Sequence, residues 1–345
     1  MTLPTTMFAL IQKHDGYSGT SEGPVIDALD PYVEAAQIPL PDLKEGQVLI
    51  RLSMAAVNPS DIHFIKGEYG QPRVKGAAAG FEGVGVIVDG YSETERKRIG
   101  QRVAFASGRD GTGTWAEYAA ATAATCIPVR PDMRDEDAAG HIVNPLTALA
   151  MFDLVAKSEA KSFVLTAAGS QLGKLMIALG RDKGIAPIAV VRRSSQKDAL
   201  LAHGAAAVLD ETDADFATTL SETFATHRPT VLLDAVGGQV SADIFKAMPK
   251  RARWVVYGKL DPKPPHIDEM GQFIFMGKRI EGFWLAEWFQ KAAPAEQMQA
   301  IGEVQERFVK GQWRTDIAAI VTLRDAMREL APALSTRDGK VFLKP

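Results

Sequence analysis

The 345-residue sequence predicts an α/β protein in which a strand-rich region precedes a doubly wound parallel sheet. Short apolar runs separated by turn residues fill the first third, as in Gln47–Met54 and Gly83–Asp89. From Asp135 onward, segments with helical spacing alternate with short apolar strands, which is the pattern of repeated βαβ units. Lys161–Ser195 contains the clearest of these units.

The strand-rich region has valine-, glycine- and turn-rich composition, which favours an all-β arrangement. Its predicted strands are Met7–Ile11, Gln47–Met54, Gly83–Asp89, Gln101–Phe105 and Thr114–Tyr118. The turn residues of Leu40–Gly46 precede the second of them. This part of the chain is therefore expected to form its own β domain.

Beyond Asp135, a first helix is predicted over Leu146–Ala156. The strands that follow are Ser162–Thr166, Ile188–Val191, Ala205–Leu209, Val231–Asp234 and Trp254–Tyr257. Parallel strands need crossover connections, usually helices, so this alternation predicts a parallel sheet. Val341–Leu343 is predicted to be a terminal strand.

A turn of small residues, Ala167–Gly173, joins the first strand of the clearest unit to its helix. Such a turn lets the backbone approach a pyrophosphate, which free N–H groups and the positive end of the following helix stabilise. Of the G-x-G-x-x-G positions, only the last is glycine, with Ala168 and Ser170 in the other two. Taken alone, the turn is equally compatible with an ordinary strand-to-helix connection.

The end of the second strand favours nucleotide binding. Where NAD-binding proteins place an acidic group to bind the ribose 2′-OH, this chain has Arg192, Arg193 and Ser194, and no carboxylate before Asp198. A guanidinium group pairs well with a 2′-phosphate, so the predicted cofactor is NADPH. The alternative is a solvated strand end.

Composition favours a cytoplasmic enzyme over other classes. A net charge of -3 gives no general attraction to nucleic acid or to an anionic membrane. No run of eighteen apolar residues occurs, and the amino terminus lacks a secretory apolar segment, so no membrane association is expected. The single cysteine, Cys126, excludes an intrachain disulfide and is interpreted as a buried small apolar residue.

Several motifs together resemble the medium-chain dehydrogenase/reductase superfamily over essentially the whole chain. They are Asn58–Asp61, Gly80–Gly83, Ala167–Gly173, Asp234–Gly238, Tyr257–Gly258 and Gly339–Val341. The resemblance implies a GroES-like β-barrel domain interrupted by a Rossmann domain. The expected boundaries are residues 1–125 for the GroES-like catalytic domain, 126–300 for the NADP-binding Rossmann domain, and 301–345 for the return to the catalytic domain.

The sequence lacks the ligands of a zinc enzyme. Catalytic zinc needs about three ligands of Cys, His or carboxylate type. Where zinc-dependent members have Gly-His-Glu, this chain has Gly80-Phe81-Glu82, and Asn58 occupies the position of the ligand cysteine. The histidines His63, His141 and His266 are separated from other ligands in sequence, so surface or satisfied core roles are expected, and no metal site is predicted.

Among zinc-free members, the chain resembles mitochondrial-type 2-enoyl thioester reductases, followed by quinone oxidoreductases. The supporting motifs are Asn58–Ile62 with Gly67–Tyr69, Val143–Ala148, and Gly282–Leu285 with Trp288. The cofactor residues that the resemblance implies are Asn144 at the nicotinamide; Gly169, Ser170, Gln171 and Leu172 at the pyrophosphate; Arg192, Arg193 and Ser194 at the adenosine phosphate; Gly258, Lys259, Leu260, Phe283, Trp284 and Leu285 at the nicotinamide ribose and ring; and Lys340. Gln171 departs from relatives, which have glycine there.

This resemblance implies hydride transfer to an electron-poor C=C bond, after which the product needs hydrogen-bond donors and a proton. Tyr69 is the expected proton donor, and the alternative is that it only packs a glycine-flanked loop. Asn58 is expected to orient substrate or nicotinamide, unless it only holds the Pro59 turn. A basic mouth for an acyl carrier would come from Lys66, Arg73 and Lys75.

The substrate and the class of function stay open at this point. An enoyl thioester or enone is the first expectation and a quinone the second; a non-enzymatic NADPH-binding regulatory or structural protein is the third. The apolar stretch Gly271–Met276 is expected to form an edge strand that pairs across a two-fold axis, giving a homodimer. A buried internal strand is the alternative.

Overall fold

A computed structural model describes residues 3–108, 111–335 and 339–345. The chain divides into two compact units, Met1–Val143 with Ile301–Pro345, and Asn144–Ala300. We refer to them as unit 1 and unit 2. The division expected from sequence, with its first boundary near residue 125, stays a prediction.

Secondary structure in the amino-terminal part is mostly β. It comprises β1 (Thr6–Gln12), β2 (Val33–Pro39), β3 (Gln47–Val57), α1 (Pro59–Lys66), β4 (Glu82–Gly90), α2 (Glu93–Arg96), β5 (Arg102–Ala106), β6 (Tyr118–Thr122), β7 (Ile127–Pro128) and α3 (Asp135–Ala139).

Helices and strands alternate in the middle of the chain. The elements are α4 (Val143–Lys157), β8 (Ser162–Leu165), α5 (Gln171–Lys183), β9 (Ala186–Val191), α6 (Lys197–His203), β10 (Ala207–Asp210), α7 (Phe216–His227), β11 (Val231–Asp234), α8 (Gln239–Ala247), β12 (Arg253–Val256), α9 (Gly271–Ile274), β13 (Arg279–Gly282) and α10 (Leu285–Lys291). The carboxyl-terminal elements are α11 (Pro294–Val309), β14 (Ile317–Thr322), α12 (Ala326–Ser335) and β15 (Lys340–Lys344).

Unit 1 is built on a sheet of order β14-β15-β3-β4-β5-β7, in which β6 also pairs with β3. The last strand, β15, pairs antiparallel with β3 from near the start of the chain, so Val341 lies opposite Val57. Its core packs side chains from both ends of the sequence, including Leu10, Phe105 and Leu330. Closure of this sheet into a barrel stays a prediction.

Unit 2 contains a sheet of order β10-β9-β8-β11-β12-β13, and its neighbouring strands are all parallel. The strands β8, β9 and β11 are buried almost throughout, as expected for a sheet covered by helices on its faces. The predicted α/β class with a doubly wound parallel sheet is confirmed.

Two strand predictions are wrong in detail. Thr114–Tyr118 is mostly not a strand, because Trp115 is held by Leu10 and Ala79 through main-chain hydrogen bonds, and regular pairing begins only at Tyr118. Gly271–Met276 forms a short helix followed by a loop, and the edge strand is β13. The side chains of Ile274 and Phe275 are both exposed, so this stretch lacks the alternation of a half-buried strand.

Candidate functional site

The turn between β8 and α5 is shaped by two glycines. A Cβ on Gly173 would lie 2.3 Å from the carbonyl oxygen of Ala168, so only glycine lets the helix pack this closely against the turn. A Cβ on Gly169 would lie 2.4 Å from Oε1 of Gln196, whose side chain covers the turn. The Oγ of Ser170 accepts the N–H of Gly173 at 3.1 Å and caps α5.

This turn fits a pyrophosphate. It lies at the amino terminus of the helix Gln171–Lys183, where first-turn N–H groups lack intrahelical acceptors and the dipole favours negative charge. The backbone of Ala167 has a φ of 47°, so the chain turns sharply as it leaves the strand. Ser170 and Leu172 lie at this strand–turn–helix junction, and their role at the pyrophosphate stays a prediction.

The predicted adenosine-phosphate residues follow β9 directly. Arg192 and Ser194 are exposed and Arg193 is half-buried, so this strand end carries accessible positive charge. A carboxylate that sequence reasoning missed lies nearby: Oε1 of Glu211, which follows β10, is 4.0 Å from Nε of Arg192. Burial raises the pKa of Glu211, with Arg192 acting in the opposite direction.

Asp234, at the end of β11, organises the neighbouring loop. Its fully buried carboxylate accepts hydrogen bonds from Thr166 at 2.5 Å, Ser241 at 2.8 Å and Trp254 at 2.7 Å. It also accepts the N–H groups of Val236 and Gly237 at 3.0 and 3.1 Å. One carboxylate thus fixes the loop, two strands and the start of α8.

The remaining predicted cofactor residues of unit 2 follow β12 and β13. The carbonyl oxygen of Asp234 accepts the N–H of Gly258, and that of Ala235 accepts the N–H of Leu260, which fixes the segment containing Lys259. Phe283 donates its N–H to Val256 at 2.9 Å, and Trp284 precedes α10, which begins at Leu285.

All these segments lie at the same edge of the sheet. They follow the carboxyl ends of the parallel strands β8, β9, β12 and β13, where ligands of open α/β sheets bind. The structure therefore brings to one sheet edge the residues predicted at the pyrophosphate, at the adenosine phosphate, and, for Gly258–Leu260 and Phe283–Leu285, at the nicotinamide ribose and ring.

Unit 1 contains a buried polar cluster that joins two predicted residues distant in sequence. Nζ of Lys340 donates to Oδ1 of Asn58, and Nδ2 of Asn58 donates to Oε1 of Glu82 at 2.8 Å. Lys340 also lies 3.8 Å from that oxygen of Glu82. Asp61, in the first turn of α1, accepts the N–H of Asn58 at 2.7 Å.

Burial dominates the electrostatics of this cluster. It raises the pKa of Asp61 to about 7, with the nearby Glu82 adding to the shift. Burial also lowers the pKa of Lys340, while Glu82 and Asp61 oppose that effect. A protonated Asp61 leaves Lys340 and Glu82 as a matched pair of opposite charges.

Tyr69 lies in the loop after α1 and packs against aromatic rings. Its ring centroid is 5.1 Å from that of Phe81, which in turn lies 4.9 Å from Phe64. The preceding residue, Glu68, is buried and binds Thr20 and the N–H groups of Glu22 and Gly23. Tyr69 is therefore held on a well-anchored loop, half-exposed beside an apolar wall.

The predicted basic mouth is wrong for two of its three residues. Nζ of Lys66 is buried and donates to the carbonyl oxygens of Gly23 and Val25. Arg73 is also buried and donates to carbonyl oxygens that include those of Gly16 and Ile65, so both side chains hold loops of the protein instead of facing solvent.

The three histidines singled out in the sequence, His63, His141 and His266, differ in burial and in hydrogen-bond partners. His63 is buried and lies 3.2 Å from Glu68, whereas His266 is exposed. The prediction of a satisfied role is wrong for His141: it is 1% exposed, and neither ring nitrogen has a partner among the described residues. Burial lowers the pKa of His141 to about 4, so the ring is neutral at physiological pH.

Within residues 3–108, 111–335 and 339–345, no group of three or more His, Cys, Asp or Glu side chains is placed to hold a metal ion. In the same part of the chain, no helix has the length and apolarity needed to cross a membrane. Cys126 is buried as expected, and burial raises the pKa of its thiol to about 11.

Sequence reasoning missed Glu82, Asp61, Asp234 and Gln196 as members of these sites. Asp61, Glu82 and Asp234 all lie within motifs that were named, so membership of a motif was the available signal. Gln196 had no such signal, because only the folded chain places it over Gly169.

Comparison with known proteins identifies the family. Residues 44–131 match the alcohol dehydrogenase GroES-like domain, and residues 172–301 match the zinc-binding dehydrogenase domain. The chain is 30% identical over 264 residues to mitochondrial enoyl-acyl-carrier-protein reductase of Arabidopsis thaliana, covering 75% of this chain and 70% of the relative. It therefore belongs to the medium-chain dehydrogenase/reductase superfamily.

Two further likenesses extend over most of the chain. The bovine mitochondrial enoyl-acyl-carrier-protein reductase (Bos taurus) is 29% identical over 329 residues, covering 93% of this chain and 84% of the relative. A crystal structure of a candidate NADPH:quinone reductase from Mesorhizobium loti is 50% identical, with a TM-score of 0.96 over 100% of both chains.

Proposed function

We propose that this chain is an NADPH-dependent oxidoreductase that reduces an activated C=C bond, in an enoyl thioester or enone, without a metal. The observation that carries the proposal is the arginine pair Arg192 and Arg193, which follows β9 at the same sheet edge as the glycine-lined turn before α5. Relatives at about 30% identity are enoyl-acyl-carrier-protein reductases, which supports an enzyme of this type.

Unit 2 fits the adenosine and pyrophosphate parts of NADPH. Gly169, Ser170, Gln171 and Leu172 would hold the pyrophosphate, and Arg192, Arg193 and Ser194 the 2′-phosphate. The loops containing Gly258–Leu260 and Phe283–Leu285 would bind the nicotinamide ribose and ring. When bound, NADPH supplies the hydride.

The proposed catalytic residues lie in unit 1. Tyr69 would deliver the proton that completes reduction, and its anchored loop fixes the position of the hydroxyl group. Asn58 is proposed to orient the reactants. Since its amide already binds Lys340 and Glu82, Asn58 works as part of a fixed polar cluster instead of as a freely turning donor. Asn144 and Lys340 are proposed to bind the nicotinamide end of the cofactor.

Quinone reduction is the second candidate. It is favoured by the 50% identity to a candidate NADPH:quinone reductase and by the internal use of Lys66 and Arg73. Both side chains are unavailable for the phosphates of an acyl carrier, whereas a quinone needs only a flat apolar slot. The aromatic cluster of Phe64, Tyr69 and Phe81 is compatible with either substrate.

A substrate panel tests the proposal. NADPH oxidation would be followed by absorbance with crotonyl thioesters, enones and quinones, and turnover is expected on the first two. Calorimetry should show tighter binding of NADPH than of NADH. Equal affinity for the two cofactors would contradict the cofactor assignment, while binding without turnover on the whole panel would favour a regulatory or structural protein.

Substitution of Tyr69 separates the two enzyme candidates. Tyr69→Phe keeps the ring against Phe81 but removes the hydroxyl group, so enoyl reduction should fall by a factor of about 10². Quinone reduction should change little if no positioned acid is needed there. The control is Tyr91→Phe, at an exposed ring of unit 1, which should leave both rates unchanged. An unchanged enoyl rate in Tyr69→Phe would remove the proton-donor role.

The proposed assembly is a homodimer formed through the β13 edge of the unit 2 sheet. Ile280 on this strand is 41% exposed, and Ile274 and Phe275 just before it are 71% and 80% exposed. An edge strand flanked by exposed apolar side chains is a surface that a second copy would cover. Gel filtration of the wild type and of Phe275→Glu would test this; a monomeric wild type contradicts it.

The proposed compartment is the cytoplasm, supported by a single, buried cysteine that needs no oxidising environment. Fractionation of cells that express the tagged chain would test it.

A further inference from the structure

Glu82 is a fully buried carboxylate at the start of β4, and its two oxygens bind three separate segments of the chain. Oε1 accepts Nδ2 of Asn58 at 2.8 Å and lies 3.8 Å from Nζ of Lys340. Oε2 accepts the N–H groups of Ile142 at 3.1 Å and Val143 at 2.8 Å.

These partners include or adjoin three residues to which roles are proposed above. Asn58 is proposed to orient the reactants and Lys340 to bind the nicotinamide end of the cofactor, and Val143 immediately precedes Asn144, which is proposed to bind the same end. We infer that Glu82 is the positioning residue of this group, which fixes Asn58, Lys340 and the approach to Asn144 through one carboxylate. The inference rests on the proposed function.

Holding these partners requires the negative charge of Glu82 as well as the shape of its side chain. Three N–H groups donate to its oxygens, those of Asn58, Ile142 and Val143, and the ammonium of Lys340 lies 3.8 Å from Oε1 as an ion pair. A carboxylate accepts on both of its oxygens. A glutamine in the same place would turn an NH₂ group towards one pair of donors, leaving buried donors unsatisfied. It would also leave the buried ammonium of Lys340 without its counter-charge.

The other carboxyl group of the cluster does not replace Glu82. Burial raises the pKa of Asp61 to about 7, so this group largely holds its proton below that pH. Its Oδ2 is engaged by the N–H of Asn58. Glu82 is therefore the group that balances Lys340 and orders the Asn58 amide, with Oδ1 towards Lys340 and Nδ2 towards Glu82.

Glu82→Gln tests the inference against the matched control Glu117→Gln. Glu117 also accepts a main-chain N–H, that of Phe8 at 2.8 Å, and pairs with a cation, Arg324 at 3.0 Å. A misplaced reacting group costs about 10²-fold in rate, so kcat of Glu82→Gln should fall by about 10- to 100-fold. NADPH affinity measured by calorimetry should change by no more than about threefold, because the adenosine end is bound by other residues.

A second measurement does not depend on turnover. In the cofactor-free protein, hydrogen exchange of peptides covering residues 140–146 and 339–345 should be faster in Glu82→Gln than in the wild type, since Glu82 binds both segments. Peptides from unit 2 strands should exchange at the wild-type rate. The Glu117→Gln variant should match the wild type in kcat and in both peptides.

The outcomes are distinct. A kcat within about twofold of the wild type in Glu82→Gln, or an equal loss in Glu117→Gln, would overturn the positioning role. If Glu82→Gln does not fold, the charge-neutral pair Glu82→Gln/Lys340→Met replaces it, and unchanged exchange of residues 140–146 there would also overturn the role. A wild type that oxidises no NADPH with any substrate defeats the proposed function, and the exchange comparison then decides the role of Glu82 by itself.

Discussion

The sheet edge of unit 2 and the buried polar cluster of unit 1 are built in different ways. At the sheet edge, each predicted residue follows the end of a parallel strand, so short contiguous motifs define the site. In the cluster, Asn58 and Glu82 come from the first part of the sequence and Lys340 from its end, and they meet because β4 and β15 both pair with β3. The strand end at Arg192 is exposed and positively charged, whereas the cluster of unit 1 is buried and pairs Lys340 with Glu82.

Because of this difference, substitutions at the two sites should change different properties of the protein. Substitution of the exposed arginines after β9 should weaken cofactor binding but leave the stability of the protein almost unchanged. A buried network should lose stability when one partner is removed, because the remaining groups are left unpaired. Asp234 allows the same comparison within unit 2, because its buried carboxylate accepts several hydrogen bonds at the same sheet edge as the exposed Arg192.

The largest change in the free energy of unfolding is expected at Asp234. Asp234→Ala removes an acceptor of five hydrogen bonds and leaves several buried donors unsatisfied, so it should lower the free energy of unfolding by about 3–5 kcal/mol, measured by urea denaturation. The control Asp243→Ala removes an exposed carboxylate that binds only Gln239 among the contacts described, and should cost less than about 0.5 kcal/mol. Equal costs at the two positions would show that the Asp234 network does not stabilise unit 2.

Substitution of Arg192 and Arg193 should give the next largest effect, and it should change the affinity for NADPH instead of the stability of the protein. Replacing Arg192 and Arg193 together by Gln removes two charged donors for a 2′-phosphate, so NADPH should bind about 10²-fold more weakly by calorimetry. NADH binding should change little, and the melting temperature should stay near that of the wild type. An equal loss for both cofactors would place the arginines elsewhere than at the 2′-phosphate.

Asp61 should make the unit 1 cluster sensitive to pH. Its pKa is raised from 3.8 to about 7, chiefly by burial, so the folded state keeps a proton that the unfolded chain releases. Stability is therefore lost as pH rises from about 4 through 7. Asp61→Asn, which cannot ionise beside Glu82 and Lys340, should melt higher than the wild type at pH 8, and this gain should shrink at pH 5. A gain independent of pH would contradict the raised pKa.

His141 should show the opposite and smallest dependence. Burial lowers its pKa from 6.5 to about 4, so the unfolded chain takes up a proton that the folded state excludes, and stability is lost as pH falls below 6.5. His141→Leu should therefore raise the melting temperature more at pH 5 than at pH 8. The control His266→Leu, at an exposed position, should keep the pH dependence of the wild type.

Prediction from sequence succeeded where local pattern and tertiary role coincide. The strands β8, β9, β11 and β12 lie within a residue or two of their predicted bounds, and β8 is followed by a turn and a helix as predicted. It failed where tertiary contacts override local pattern. The apolar stretch at residues 271–276 became a short helix and loop, and Lys66 and Arg73, which look like surface residues, turned inward to hold loop carbonyls.

The sequence by itself determined the fold class, the phosphate-sized turn and the cationic strand end, because each depends on residues close together in the chain and on the period of their side chains. Only the tertiary structure decided that Glu82 joins Asn58 to Lys340, that Gln196 covers Gly169 and that His141 is buried without a partner among the described residues. Hydrogen bonding and desolvation depend on which groups, distant in sequence, come into contact in the folded chain, and a local sequence pattern does not predict those contacts.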